Sequence, residues 1–388
     1  MEIVFFVFSN YIRSRNQWFI TTKDKKLLFN QQTLKKIFIK SYDPVLGWDR
    51  KPNTSGVEVS ETDTTRWSIN KNGARDNLEY NNQKSYISLF GDSFTFSREV
   101  NDNETWAYQL SSLRKTNIEN FGVGNFGFDQ ALLKLTNKLA LKNFRPKIVI
   151  IGIVPDTISR VLSVWKHYYE YGNLYGFKPR YILKNGNISL VDNYIDNQDK
   201  FYEIEKYIGQ IQRDDFFYKN KFLKEVIDFP YTIGFLKNLK RNLSLSYETL
   251  KKGYVKVPPA SIMQKNLDYR IALYKEKENT DLLVEELKLF EMLSQKYDFK
   301  AYFLIIPQKD DVNYIKNSKY HFYQTLIDSV PNAISCIDIY RYFKEYSKKD
   351  LDALYSQSTE YGGHLNNKGN IILAKILDNL IHKRWHDS

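Results

Sequence analysis

One cysteine, modest numbers of proline and glycine, and no long apolar run narrow what this chain can be. Cys336 stands alone, so no intrachain disulfide can form. It sits in an apolar, strand-like stretch, 333–339, where a buried, inert thiol is expected. No run approaches the roughly 20 apolar residues of a membrane span. The six-residue run 3–8 follows Glu2, lacks a basic flank and is not followed by a small-residue cleavage site, so it reads as part of the fold. The absence of a recognisable signal peptide points to the cytoplasm, with a periplasmic or membrane-associated setting left open. The first residues could lie peripherally against a membrane or a partner protein. None of the five histidines pairs with cysteine or carboxylates at zinc spacing, so no metal site and no cofactor is expected. Low-complexity linkers and repeats are also lacking. With 42% hydrophobic and 15% aromatic residues, the chain can bury a substantial core.

Charge is present in excess of one sign. Lys+Arg of 57 against Asp+Glu of 45 gives a formal +12, which favours anionic partners: acidic glycans, nucleotide-linked sugars, nucleic acid or lipid headgroups. The densest basic stretch, Lys237, Lys240, Arg241, Lys251, Lys252 and Lys256, is interleaved with Tyr247 and Tyr254 in the manner of an RNA-binding surface. A solvated helix face is the plainer reading, and nucleic acid is a disfavoured partner.

Local patterns organise the chain. Residues 1–40 alternate short apolar clusters with basic residues and form a segment of unclear role. Residues 41–83 are rich in turn signals and short strands and predict an irregular β lead-in. From 84 the pattern becomes strand (86–90), helix (104–113), strand (118–121), helix (129–142, with Asp129 as a plausible N-cap) and strand (148–154). It resumes with a helix at 281–297, a strand at 301–306, a helix near 320–329, a strand at 333–339 and a closing helix at 370–385. The intervening 157–280 breaks the alternation and reads as an inserted α/β cap, with a hairpin around Asn185-Gly186. Residues 84–156 and 281–388 would then form the core. Alternating apolar strands and helices predict a three-layer α/β fold with a parallel central sheet and ligands at the carboxyl ends of its strands.

Three motifs fall at such ends. Gly91-Asp92-Ser93 follows the first strand, where a serine would be exposed on a tight turn and flanking amides could face an oxyanion. Asn120-Phe121-Gly122-Val123-Gly124-Asn125-Phe126-Gly127 follows the second, with more glycine than a βα turn requires. Gly362-Gly363-His364-Leu365-Asn366 precedes the last helix and presents an accessible histidine, whereas His167, His321, His382 and His386 lack such a setting.

In combination and order, these motifs resemble the SGNH/GDSL hydrolase superfamily. The segments Leu46-Gly47-Trp48, Lys51-Pro52-Asn53 and 70–76 resemble the lead-in of its bacterial branch that modifies polysaccharides and surface glycans. The resemblance covers about residues 41–160 and 280–385. It implies a flavodoxin-like SGNH fold, Ser93 as nucleophile, His364 as general base, and an oxyanion hole from the amides of Ser93 with Gly124 or Asn125. Asp92, Asp156 and Arg75 are candidate substrate contacts. Three positions depart from the family pattern. Val154-Pro155-Asp156 stands where the third strand often ends in Asn-Asp, Asn125 stands at a position often held by glycine, and Tyr361 replaces the aspartate three residues before the histidine. Glu360 is therefore the expected orienter of His364, with a backbone carbonyl of the same loop as its substitute.

The function expected is a serine esterase or O-acyltransferase that moves a small acyl group, acetyl foremost, on a carbohydrate through an acyl-enzyme. Trp165, Tyr168, Tyr169, Tyr171 and Tyr175 could stack on sugar rings or pack a core. The missing Asn and Asp favour, as rival, a non-catalytic carbohydrate-binding or assembly protein. A nucleic-acid-binding protein using 237–256 is the third reading.

Overall fold

The computed structural model describes residues 1–59, 64–356 and 361–385. Five strands form one parallel sheet: β1 (Ser85–Gly91), β2 (Asn117–Asn120), β3 (Ile148–Ile153), β4 (Lys300–Ile305) and β5 (Ile334–Asp338). Their order across the sheet is β5-β4-β3-β1-β2, every neighbour parallel. This is the 2-1-3-4-5 order of flavodoxin-like folds, whose ligands bind where the winding reverses, between β1 and β3.

The strands show why the sheet carries helices on both sides. Ile87, Leu89, Ile148, Ile150, Tyr302 and Leu304 point to one face, where they join Trp106, Leu110, Leu373 and Leu377 in a continuous core. These partners come from α2 (Trp106–Arg114) and α6 (Asn367–Trp385), which follow α1 (Ser93–Phe96) and close the chain respectively. On the other face Phe303 of β4 meets Phe128 at 5.5 Å between ring centres, and Phe128 in turn meets Phe290 at 6.3 Å. Those rings belong to α3 (Phe128–Leu139) and α4 (Lys277–Tyr297). Every residue of β3 is buried, as expected of a central strand covered twice.

Some local expectations shift. Gly127, not Asp129, occupies the N-cap of α3; Asp129 is buried in the first turn and accepts from the Gln130 amide at 2.8 Å. The predicted helix at 320–329 is shorter, Gln324–Asp328, and is preceded by a helix the periodicity did not reveal, α5 (Lys309–Ser318). Only Val312 and Ile315 bury an apolar side chain there. Its start is set instead by Asp311, which accepts from the Gln308 amide at 2.9 Å. Cys336 is half-buried rather than buried, and burial pushes its thiol up to about 12, so it stays protonated at neutral pH.

The β lead-in contains an antiparallel pair, Thr54–Val59 with Thr64–Ile69. Asn185 and Gly186, both at positive φ, turn the hairpin Arg180–Lys184/Asn187–Val191, which forms its own two-stranded sheet.

By contacts the chain divides into two compact units. The first comprises residues 1–48, 162–180 and 191–269; the second comprises 49–161, 181–190 and the chain from 270 onward, and contains the sheet. The N-terminal 48 residues thus belong with most of the segment between β3 and α4. The first unit is largely helical around an aromatic core. Trp165, Tyr168 and Tyr171 are buried within it, with Trp165 stacked on Phe177 at 5.1 Å, so these three pack a core rather than present a platform to a sugar; Tyr169 and Tyr175 are half-buried. Among the described residues no helix is long and apolar enough to cross a membrane.

Candidate active site

The second unit alone builds the site, starting from a glycine that nothing else could replace. Gly91 has φ +145°, and a Cβ there would stand 1.8 Å from the Gly152 carbonyl oxygen. That close approach of β1 to β3 delivers Asp92 and Ser93 to the sheet's edge at the switch point. Asp92 is fully buried and caps α1: one carboxylate oxygen accepts from the Phe94 amide at 2.8 Å, the other from the Val154 amide and the Arg160 guanidinium, each at 3.0 Å. It ties the Ser93 turn to the end of β3 and has no surface to offer a substrate.

His364 reaches Ser93 from the loop before α6. The Ser356 amide donates to the His364 carbonyl at 2.9 Å, and Asn370 donates to the Leu365 carbonyl at 2.9 Å while accepting from the Trp106 amide at 3.0 Å. The imidazole also packs on Phe94, ring centres 4.8 Å apart. Its Nε2 lies 2.8 Å from Ser93 Oγ, across 271 positions of sequence. Its Nδ1 lies 3.0 Å from Oε1 of Glu99.

Glu99 is the residue that sequence reasoning missed. The expected orienter, Glu360, lies outside the described residues; the carboxylate on Nδ1 comes from the loop six positions after Ser93. A carboxylate can only accept, so Nδ1 carries the proton and Nε2 presents its lone pair to Ser93. Burial works against the charge on Glu99. Hydrogen bonds from His364 and Ser356, the charge of a protonated His364 and the nearby Arg98 overcome it and hold the carboxyl down at about 2. Ser356 Oγ occupies the second oxygen, Oε2.

The Glu99 loop is held from beneath. Ser97 and Glu99 adopt positive φ, 57° and 72°, which costs on the order of 1–2 kcal/mol per residue without glycine. Arg75, 2% exposed, spends its guanidinium on this loop: Nη1 donates to the carbonyls of Phe96 (2.6 Å) and Ser97 (2.7 Å), Nη2 to that of Val100 (2.6 Å), and Nε to Asp102 (2.8 Å). The residue expected to touch substrate is a scaffold for the orienting carboxylate.

The second motif lies against the same turn. Val123 donates to the Gly91 carbonyl at 2.9 Å, and Asn120 spans the gap, donating to the Thr95 carbonyl (2.7 Å) and accepting from the Gly122 amide (3.0 Å). Gly122 is sterically required, because a Cβ there would sit 2.4 Å from the Phe96 nitrogen, whereas a Cβ on Gly124 would meet nothing within 4 Å. Gly124 and Asn125, the latter at φ 68°, are half-exposed at the end of this turn. At the end of β3, the Val154 amide is committed to Asp92, the Pro155 carbonyl accepts from Tyr274 at 2.8 Å, and Asp156 pairs with Arg160 at 3.3 Å. Asp156 keeps 19% of its side chain exposed and is the one of the three candidate substrate contacts that retains a surface. No group of three or more His, Cys, Asp or Glu residues is placed to hold a metal ion among the described residues.

Neither a protein-family model nor a curated protein matches this chain. Among solved structures it is similar to a proposed lipolytic protein of the G-D-S-L family from Desulfitobacterium hafniense DCB-2. The match has 13% sequence identity and a TM-score of 0.17, and covers 44% of this chain and 75% of that one. A likeness at that level assigns neither a family nor an activity.

Proposed function

We propose that the protein is a serine-dependent ester hydrolase or acyltransferase, and that Ser93, His364 and Glu99 form its catalytic triad. The observation that carries this reading is the continuous chain Ser93 Oγ–His364 Nε2 (2.8 Å) and His364 Nδ1–Glu99 Oε1 (3.0 Å), with Glu99 kept ionised. His364 takes the Ser93 proton as Oγ attacks the ester carbonyl, and Glu99 stabilises the resulting imidazolium. The imidazolium returns the proton to the leaving alkoxide, leaving an acyl-serine. Water or an acceptor hydroxyl, deprotonated by the same His364, then releases the acyl group. The amides of Ser93 and of Gly124 or Asn125 are the proposed oxyanion donors.

The finer reading is a carbohydrate O-acyl substrate, acetyl foremost. Its support is the sequence resemblance of residues 46–53 and 70–76 to glycan-modifying relatives. The non-catalytic alternative rested on two departures, and Glu99 supplies what Tyr361 withholds; the absent third-strand Asn remains in its favour. Labelling with a fluorophosphonate followed by mass spectrometry tests the reading. The adduct is expected on Ser93, with p-nitrophenyl acetate hydrolysis lost in Ser93→Ala. A protein that neither labels nor turns over this ester would refute the catalytic reading.

A further inference from the structure

The first unit carries helices that expose apolar residues to solvent. In the helix Glu2–Arg15, Ile3 is 78% exposed and Val4, Val7 and Tyr11 are also exposed, while Ser9 and Ile12 are buried. At 100° per residue, positions 3, 4, 7 and 11 fall on one strip pointing away from the protein. The opposite side of the helix is occupied: Phe5 and Phe8 pack on Phe235 at 5.3 and 6.1 Å, and Asn16 donates to Thr249 at 3.0 Å. Those contacts are to the helices Tyr231–Lys237 and Leu239–Lys252. The second of these also exposes an apolar strip, with Leu245, Ser246 and Thr249 buried and Leu239, Leu243, Tyr247 and Leu250 exposed. Phe229, 70% exposed, and Ile233 extend the apolar area.

Charge decides what such a face would meet. Lys240 and Lys251 lie along one edge of the leucine strip and, with Lys237, Lys252 and Lys256, are exposed. Between residues 229 and 260 the single acidic residue is Glu248, and it is half-buried and paired with Lys252 at 3.0 Å. Aliphatic side chains edged by lysine, with tyrosine at the margin, match the boundary between headgroups and acyl chains of an anionic bilayer. A two-fold contact with a second copy would set lysine edges against each other. RNA would use the rings of Tyr247 and Tyr254 but leave the leucines wet.

We propose that the exposed face of the helix Leu239–Lys252 docks the protein on an anionic lipid bilayer, lying in the interface without crossing it. The proposal is independent of the catalytic reading. The test is co-sedimentation of the full chain with vesicles of phosphatidylcholine alone and of phosphatidylcholine mixed with phosphatidylglycerol. Salt-sensitive binding to the anionic vesicles is expected. Lys240→Glu with Lys251→Glu should weaken it by at least about 25-fold, taking about fivefold per lysine. Leu243→Ser with Leu250→Ser should weaken it by at least about tenfold. All four side chains are exposed, so an unchanged melting curve checks that the variants fold. No sedimentation with either vesicle, or variants that bind like the parent, would overturn the proposal. So would a dimer, or an oligonucleotide complex, that is lost in these variants while vesicles are ignored.

Discussion

Replacing Glu99 by glutamine separates charge from shape at the centre of the site. The carboxylate makes two hydrogen bonds, from His364 Nδ1 at 3.0 Å and from Ser356 Oγ. Glutamine can fill both positions in two ways. With its carbonyl toward His364 the productive tautomer survives but the imidazolium loses its counter-charge. With its amide nitrogen toward His364, Nδ1 must accept, the proton moves to Nε2, and Ser93 loses its base. Either outcome strikes the transition state rather than ester binding. Loss of the orienting carboxylate in a serine triad costs on the order of 10⁴ in turnover, which is about 5.5 kcal/mol. The assay is kcat and KM for p-nitrophenyl acetate in the parent, Glu99→Gln, Ser356→Ala and Glu360→Gln. Expected are a fall of about 10³–10⁴ in kcat for Glu99→Gln, about tenfold or less for Ser356→Ala, and little change for Glu360→Gln. A pH series adds an independent check. Glu99 is held at about 2, below its ordinary 4.5, so its ionised form contributes stability fully above pH 4.5, and this is lost as pH falls toward 2. The stability gap between parent and Glu99→Gln should close over that window. Turnover of Glu99→Gln within twofold of the parent would sink the triad assignment and leave a Ser93–His364 dyad.

Three further expectations follow from buried charges. Arg75→Lys cannot reproduce four fixed donors, so the Glu99 loop should loosen. Stability is expected to drop by about 2–4 kcal/mol in urea melts and kcat to fall while KM holds; a raised KM with kcat intact would return Arg75 to substrate binding. Asp92→Asn uncouples Arg160 from a fully buried partner and should cost about 3–5 kcal/mol, whereas a change confined to KM would contradict its structural role. Burial raises Asp338 to about 6 despite hydrogen bonds from the Tyr340 amide and the Tyr323 hydroxyl. Asp338 therefore contributes stability that is lost as pH rises from about 4 to 6, by on the order of 1–3 kcal/mol, while His321 and His167, both held down by burial, act in the opposite direction. The stability difference between Asp338→Asn and the parent should change over that window, and a constant difference would show that the group titrates normally.

The alternation of strand and helix was legible because the core strands are apolar on both faces and their helices carry one-sided leucines. The order of strands, with the reversal between β1 and β3, was not, since pairing partners lie up to about 150 residues apart and nothing in a single strand names its neighbour. α5 escaped because its start is fixed by Asp311 rather than by apolar spacing. The grouping of residues 1–48 with the chain between β3 and α4 rests on contacts such as Asn16 with Thr249, invisible to any local window.

Within the site, Ser93 and His364 announced themselves because each sits in glycine-bearing sequence where the backbone must turn sharply. Glu99 has no such marker. The resemblance to the SGNH/GDSL pattern points to an acid beside His364, whereas Glu99 stands in Arg98-Glu99-Val100, shortly after the helix that Ser93 opens. A triad requires a carboxylate within hydrogen-bond reach of Nδ1, and that condition fixes a point in space, not a place in the chain. The loop after β1 and the loop before α6 meet at that point because β1 is central in the sheet and α6 packs across the same face as α2. Either loop can therefore donate the acid, provided its backbone is held. Here the holding falls to Arg75, whose hydrogen bonds to three carbonyls keep Glu99 at a positive φ that a free loop would relax. A carboxylate on the loop after Ser93 reaches His364 Nδ1 without an acid at position 361, and that loop is in turn held by the buried Arg75 beneath residues 96–100.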